Sequence, residues 1–135
     1  MKSKFLTVIG IVVLMLSFTS CSKEEADPNI VLNDKLVGSS WNVRSFTADG
    51  VETMTVLYNT IEITFTKEDP SNGSTKWRLI NTIGQATNLD YKYNIRNQGR
   101  EIQVGTDLFD ISVDGNKLSL IGTVAGERWI IDARK

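Results

Sequence analysis

Few side chains in this 135-residue chain can do covalent or metal chemistry, because it has no histidine and one cysteine. Neither a Ser-His-Asp nor a Cys-His arrangement can be assembled, and a zinc site built on imidazole or thiolate is excluded. Asp107, Asp110 and Asp114 are close in sequence and could serve as the acid and nucleophile of a glycosidase. Strand alternation and turn chemistry explain these acids more simply. We therefore expect a non-catalytic protein with no metal and no cofactor.

The cysteine, Cys21, follows a segment with the features of an export signal. A basic N-terminal end precedes an apolar run over residues 5–16, which is shorter than the ~20 residues of a membrane-spanning helix. Small residues then precede the cysteine. These features predict a signal peptide over residues 1–20. An ordinary exported protein is the alternative, but it would carry an unpaired thiol into an oxidising compartment.

The leader and Cys21 together resemble those of bacterial lipoproteins. In that family a peptidase cuts before the cysteine, whose thiol and new amino group take fatty acyl chains. The resemblance therefore implies an acylated Cys21 as the lipid anchor. Because two or more acyl chains hold a protein firmly on a bilayer, the expected partner of this end of the chain is a lipid membrane.

The four residues after the cysteine resemble the export signal of surface lipoproteins of Bacteroidota. They are Ser22, Lys23, Glu24 and Glu25. This resemblance implies a lipid-anchored protein of the outer membrane, displayed at the cell surface. The alternative is that these charges keep a linker solvated and that the protein stays on the periplasmic face.

Charge and composition set the domain organisation. Removing residues 1–20 takes away Lys2, Lys4 and no acid, so 15 basic and 16 acidic residues become 13 and 16, a net charge of minus three. No basic patch interleaves with aromatic residues, so the footprint of nucleic-acid binding is missing. Residues 21–34 show little apolar periodicity, which predicts a flexible polar tether. Residues 35–135 are long enough for one domain with one core.

The domain alternates apolar and polar residues between short turn clusters, a pattern typical of half-buried antiparallel strands. It predicts eight strands, over residues 40–47, 60–67, 75–80, 89–96, 100–104, 108–113, 117–121 and 128–133. In the first strand, Trp41 and Val43 fall on one face and Arg44 and Phe46 on the other. We therefore predict an all-β fold, a small up-and-down antiparallel β-barrel of about eight strands, which leaves no exposed edge. A β-sandwich is the alternative.

Two parts of the domain resemble lipocalin-like proteins. Residues 36–43, Leu-Val-Gly-Ser-Ser-Trp-Asn-Val, look like the opening segment of lipocalin-like domains, although two residues separate Gly38 from Trp41 where lipocalins have one. The later run is similar to the closing hairpins of small lipocalin-like lipoproteins of Bacteroidota, at residues 107–111, 118–120 and 127–131. The resemblance extends from Leu36 to the C-terminus and implies a lipocalin-like barrel.

Closure of such a barrel makes the first and last strands antiparallel neighbours, which brings Arg134 near Trp41. The resemblance implies that the guanidinium lies over the indole, a cation–π contact worth roughly 0.5 to 2 kcal/mol. Arg128 is the rival cation, but it is about six residues, or ~20 Å of strand, away. We expect Trp41, with Leu36 and Val37, to plug one end of the barrel, so that a ligand enters at the other end.

The predicted binding residues are aromatic and face the barrel mouth: Trp77, Tyr91, Tyr93 and Trp129. Their rings offer apolar faces to a small ligand, under an irregular flap at Thr53–Tyr58. An eight-stranded barrel is just wide enough for its own side chains or for one small ligand. If its own side chains fill the barrel, the chain would be a surface adaptor or a protease-inhibitor-like interaction module. If the barrel holds a small ligand, the chain would be a membrane-anchored, lipocalin-like binding protein.

Overall fold

The chain from residue 26 to residue 135 is described by a computed structural model. The predicted signal peptide (1–20), the acylation site Cys21 and the export signal (22–25) lie outside the described residues. One helix and nine strands follow in the described part: α1 (Pro28–Leu36), β1 (Ser40–Ala48), β2 (Val51–Glu52), β3 (Tyr58–Asp69), β4 (Asn72–Asn81), β5 (Ala86–Arg96), β6 (Glu101–Val104), β7 (Asp107–Asp114), β8 (Lys117–Val124) and β9 (Glu127–Arg134). Within residues 26–135, no helix has the length and hydropathy needed to cross a membrane.

The strands form one antiparallel sheet that closes through the pairing of β1 with β9. The strand order is β2-β1-β3-β4-β5-β6-β7-β8-β9, and β1 also pairs with β9 from Asn42 opposite Arg134 to Ala48 opposite Trp129. Strand β2 is an extra strand that pairs with the end of β1. The predicted eight-stranded, up-and-down barrel is therefore confirmed, and the β-sandwich alternative is wrong.

A bulge in β1 changes which residues face the interior. The pairing of β1 with β9 shifts between Val43 and Ser45, so Arg44 is the extra residue. Because a bulge inserts one residue, the alternation of side chains reverses after it. Phe46, predicted on the outer face, is consequently buried and packs edge-to-face on Trp129, with ring centroids 4.9 Å apart.

Helix α1 covers the end of the barrel at which β1 begins. Pro28 stands in its first turn, and the carboxylate of Asp27 accepts a hydrogen bond from the amide of Asn29 at 2.9 Å. Its inner face buries Leu32, Asn33 and Leu36. The flexible tether predicted over residues 21–34 is therefore corrected, because residues 28–34 are part of a helix that packs against the barrel.

Trp41 joins this helix to β1. Its side chain is fully buried, and its indole Nε1 donates to the carbonyl oxygen of Leu36 at 3.0 Å. This bond satisfies a carbonyl that the helix end would otherwise leave unpaired. Trp41 and Leu36 thus plug this end of the barrel, as predicted.

The cation beside Trp41 differs from the predicted one. The ammonium group of Lys135 lies 5.2 Å from the centroid of the Trp41 ring. Arg134 is opposite Asn42 in the sheet and follows the buried Ala133, so strand alternation turns its side chain to the outer face. The structure therefore places Lys135, and not Arg134, over the indole. Barrel closure does bring the C-terminus to Trp41, but the cation beside the indole is one residue later in the chain than predicted.

A buried hydrogen-bond network fixes α1 to the barrel. The Tyr93 hydroxyl donates to Asn33 Oδ1 at 2.6 Å, and Asn33 Nδ2 donates to the carbonyl oxygens of Asp69 at 3.1 Å and Pro70 at 3.0 Å. Tyr93 is 3% exposed and Asn33 is 0% exposed. Because both buried side chains have partners, the network adds specificity without leaving an unpaired polar group.

Gly73 makes room for this network. A Cβ atom at Gly73 would lie 2.1 Å from the carbonyl oxygen of Thr66 and 2.6 Å from Tyr93 Oη. Any side chain here would displace the phenol. Burial raises the pKa of Tyr93 to about 12, and the negative charge of Glu68 contributes in the same direction.

We predict that Tyr93→Phe lowers the free energy of unfolding by about 1–3 kcal/mol, because Asn33 Oδ1 would be buried without a donor. Tyr91→Phe is the matched control on the same strand, since its phenol is 40% exposed; we expect a change within about 0.5 kcal/mol. Urea denaturation of both variants measures the difference. Equal losses in the two variants would contradict the assignment.

The same network predicts a loss of stability at high pH. An unfolded tyrosine has a pKa of about 10, and the folded value for Tyr93 is about 12. The stabilisation by the neutral phenol is therefore complete below pH ~10 and is lost as the pH rises toward ~12. Tyr93→Phe should remove this part of the pH dependence.

Candidate ligand-binding cavity

The barrel contains a cavity of about 330 Å³ that opens at the end opposite α1. Apolar side chains supply most of its wall: Val43, Phe46, Ala48, Leu57, Ile61, Leu79, Leu89, Val104, Phe109, Val124 and Ile131. Cavities that hold small molecules are mostly apolar and have volumes of roughly 300–1,000 Å³. This cavity lies at the small end of that range.

Three of the four predicted binding residues line the cavity. They are Trp77 on β4, Tyr91 on β5 and Trp129 on β9. Tyr93 does not line it, because its hydroxyl bonds to Asn33 at the α1 end of the barrel. Tyr91 and Tyr93 face the same side of β5, but two residues of strand separate them by about 6.6 Å along the barrel. The prediction for Tyr93 is therefore corrected to a structural role.

Two polar groups in the cavity wall lack partners. The indole Nε1 atoms of Trp77 and Trp129 are buried, and neither donates a hydrogen bond to another residue among those described. Trp77 is only 7% exposed as a whole. Buried donors are nearly always paired, and an unpaired one costs about 1–3 kcal/mol. Both rings line the cavity, but their Nε1 atoms have almost no accessible surface, so an acceptor atom on an occupant can pair with them only after the rings turn toward it.

The charged groups at the cavity mouth are acidic. Asp107 and Glu127, at the first positions of β7 and β9, line the cavity, and no lysine or arginine does. Arg128 borders a neighbouring depression on the outer surface, which Asp107 also lines. The ion pairs of the part that the structure describes are Lys67 with Asp34 and Lys92 with Glu68, and neither pair involves these two acids. The mouth therefore presents negative charge to an incoming molecule.

The segment Thr53–Tyr58 lies at the open end, and Thr53, Leu57 and Tyr58 line the cavity. The amide and hydroxyl of Thr53 both donate to the carbonyl oxygen of Phe46, at 2.8 and 2.9 Å. The amide of Leu57 donates to the carbonyl oxygen of Thr53 at 3.0 Å. The segment occupies the place predicted for a flap, but it is a hydrogen-bonded turn and not an irregular one.

Glu52, in β2, holds this turn against β1. Its Oε1 accepts hydrogen bonds from the amides of Phe46 at 3.0 Å and Met54 at 3.1 Å, and its Oε2 accepts one from the Ser45 hydroxyl at 2.9 Å. The bond from the Phe46 amide is the main cause that lowers the pKa of Glu52 below its usual value, against the opposing effect of burial. Sequence reasoning missed Glu52, because one acid in a two-residue strand makes no periodic pattern.

At the mouth and elsewhere in residues 26–135, no cluster of three or more acidic or cysteine side chains is placed to hold a metal ion. The acids Asp107, Asp110 and Asp114 separate along β7. Asp107 lies at the mouth, Asp110 is on the outer face and Asp114 is at the far end of the strand. Asp107 and Asp110 border the same outer depression but are about 10 Å apart along the strand, and Asp107 and Asp114 are about 23 Å apart. Glycosidase carboxyl groups lie about 5–9.5 Å apart.

We predict that Glu52→Ala loosens the Thr53–Tyr58 turn while the barrel stays folded. The protection of the Met54 amide from hydrogen exchange should fall by about two- to tenfold, as expected for one lost hydrogen bond. Glu62→Ala, a carboxylate on β3 that does not contact the turn, is the control. Unchanged protection in Glu52→Ala would show that the carboxylate does not hold the turn.

The turn should also loosen in acid. The pKa of Glu52 is lowered in the folded state, so its stabilisation is complete above the unfolded value of ~4.3 and is lost as the pH falls below it. Protection factors, which correct for the intrinsic pH dependence of exchange, should therefore drop at the Met54 amide at low pH. The drop should be absent in Glu52→Ala.

Comparison with protein-family models finds no match for this chain, and a search of curated proteins finds none either. The function is therefore argued from the cavity and from the sequence of the leader.

Proposed function

We propose that the chain is a membrane-anchored, non-catalytic lipocalin-like protein that binds a small, mainly apolar ligand in its barrel. The observation that supports this most is the apolar cavity of about 330 Å³, open at one end and lined by Trp77 and Trp129 with unpaired indole N–H groups. Burial of about 200 Å² of apolar ligand surface would contribute about 5 kcal/mol before the costs of association.

A non-catalytic role is supported by the distribution of the acids. The chain has no histidine, and the acids of β7 are spread over both ends and the outer face of the barrel. The acids that line the cavity, Asp107 and Glu127, are both at the mouth, at the first positions of β7 and β9. The interior therefore offers contact surface and hydrogen-bond donors, which suits binding.

We predict that the folded protein binds N-phenyl-1-naphthylamine saturably, because this neutral aromatic probe brightens in an apolar site. Val124→Trp should weaken binding at least about tenfold, since Val124 lines the cavity and a larger ring would fill it. Val113→Trp is the matched control. It changes a partly buried valine on β7 that packs against the core and does not line the cavity.

The outcome of this titration also separates the two functions that the fold allows. Exposed apolar side chains surround the open end: Val51, Val56, Leu57 and Ile83, which are 55–76% exposed. Apolar surface of this kind favours protein contact as a second candidate function. If the wild-type protein binds no apolar probe, the adaptor or inhibitor-like function is the better one, and this rim is its contact surface.

The membrane anchor is supported by the leader, by Cys21 and by the resemblance of residues 22–25 to the export signal of Bacteroidota lipoproteins. Helix α1 begins at the closed end, where Asn29 Oδ1 accepts a hydrogen bond from the Gly99 amide at 2.7 Å. Six residues separate Cys21 from Pro28, and a chain of that length spans at most about 25 Å. An acylated Cys21 would therefore hold the closed end toward the membrane, and the cavity would open away from it.

We predict that protein extracted with detergent from its own host lacks residues 1–20 and carries acyl chains on Cys21. Intact mass spectrometry measures both features, and a soluble, unacylated product would contradict the anchor. Replacing Lys23, Glu24 and Glu25 together with alanine should keep acylation but protect the protein from protease added to whole cells. If digestion is unchanged in that variant, these residues are only a solvated linker.

A further inference from the structure

The size of the cavity limits what it can enclose. Its volume of about 330 Å³ cannot extend toward α1, because Trp41 and Leu36 are fully buried in the plug and Tyr93 is bonded to Asn33. Small-molecule sites reach about 1,000 Å³, so this one suits a molecule near the lower limit. A long-chain lipid would leave much of its chain outside the mouth.

Two buried polar atoms in the cavity wall lack partners among the described residues, and both are donors. The Nε1 atoms of Trp77 and Trp129 are buried and unpaired. The Thr53 hydroxyl already donates to Phe46, and Trp41, the remaining tryptophan of the chain, has its N–H paired with Leu36 outside the cavity. The two cavity tryptophans thus differ from the plug tryptophan in lacking a protein acceptor. A ligand with oxygen acceptors would satisfy them, and a pure hydrocarbon would leave them unpaired.

The charge at the mouth disfavours an anion. Asp107 and Glu127 line the cavity without a lysine or arginine beside them in its wall. A ligand carboxylate at the mouth would approach two like charges, with the cation Arg128 only in the adjoining outer depression, and deeper in the barrel it would lose its hydration. Fatty acids therefore fit this cavity poorly, although its wall is apolar.

We propose that the ligand is a small neutral molecule, mainly apolar, and that the rings of Trp77 and Trp129 turn so that its oxygen atoms accept hydrogen bonds from their indole N–H groups. Esters, lactones and ketones have this chemistry. The acidic mouth, through Asp107 and Glu127, selects against anionic lipids of the same size. This inference rests on the proposed binding function and narrows its ligand class.

Three probes with the same number of carbon atoms test the ligand class: δ-decalactone, decanoate and butylcyclohexane. Each competes with N-phenyl-1-naphthylamine for the full-length mature protein at about pH 7.5, where decanoate is ionised. The lactone loses hydration that the hydrocarbon does not have, so the hydrogen bonds are measured by the change in the ratio of the two affinities when an indole N–H is removed. We expect the lactone to bind at least about tenfold more tightly than decanoate.

Two variants separate the indole groups from the charges. Trp77→Phe keeps an aromatic wall but removes the N–H, so it should lower the ratio of lactone to butylcyclohexane affinity by about threefold or more relative to wild type. Asp107→Asn combined with Glu127→Gln should raise decanoate affinity several-fold and leave the lactone affinity unchanged. Circular dichroism and urea denaturation check that both variants are folded.

The results distinguish this inference from the function on which it rests. If wild-type protein binds neither N-phenyl-1-naphthylamine nor any of the three probes, the binding function itself fails, and the ligand class with it. If the probes bind but decanoate equals or exceeds the lactone, the binding function stands and the charge argument is overturned. If Trp77→Phe leaves the ratio of lactone to hydrocarbon affinity unchanged, the indole groups do not recognise the ligand.

Discussion

The pairing of β1 with β9 is the constraint on which the rest of the barrel depends. It converts an open sheet into a closed one, so every strand edge of the barrel is paired and an interior exists. The bulge at Arg44 lies in this seam and turns Phe46 inward against Trp129. The seam that closes the barrel therefore also builds part of the cavity wall. Without the bulge in this seam, Phe46 would face solvent.

Inward-facing polar side chains are paired at one end of the barrel interior and unpaired at the other. At the closed end the polar groups that enter the core are paired, as the Tyr93 hydroxyl and the Trp41 indole show. At the open end the indoles of Trp77 and Trp129 are not paired. In natural proteins, structural rules such as the pairing of buried polar groups tend to be broken at functional sites and obeyed elsewhere. This contrast within one barrel is the physical reason to seek a ligand at the open end.

Much of the fold could be predicted from the sequence, because two-residue alternation and turn residues report local structure directly. The eight barrel strands, their order and the closed end at Trp41 follow from those signals. The bulge was missed although the spacing of Trp41, Val43 and Phe46 departs from strict alternation, since the sequence alone does not distinguish a bulge from an apolar residue on the outer face until the partner strand is known. Helix α1 was missed because its buried face is short and includes Asn33, a polar residue that hides the apolar period. Lys135 rather than Arg134 lies beside Trp41 because of the register between β1 and β9.

The sequence predicted which types of residue line the candidate site, but not how far along the barrel axis each residue lies. Side-chain alternation assigns Tyr91 and Tyr93 to one face, and only the three-dimensional position of α1 decides that one lines a cavity and the other a plug. The position of the cavity along the barrel axis also bears on where a ligand would come from. An anchor at the α1 end, as proposed, would point the open end away from the bilayer, so a ligand would arrive through water. A small neutral molecule with oxygen acceptors has the solubility for that route, whereas a long-chain lipid would remain in the membrane on the other side of the barrel.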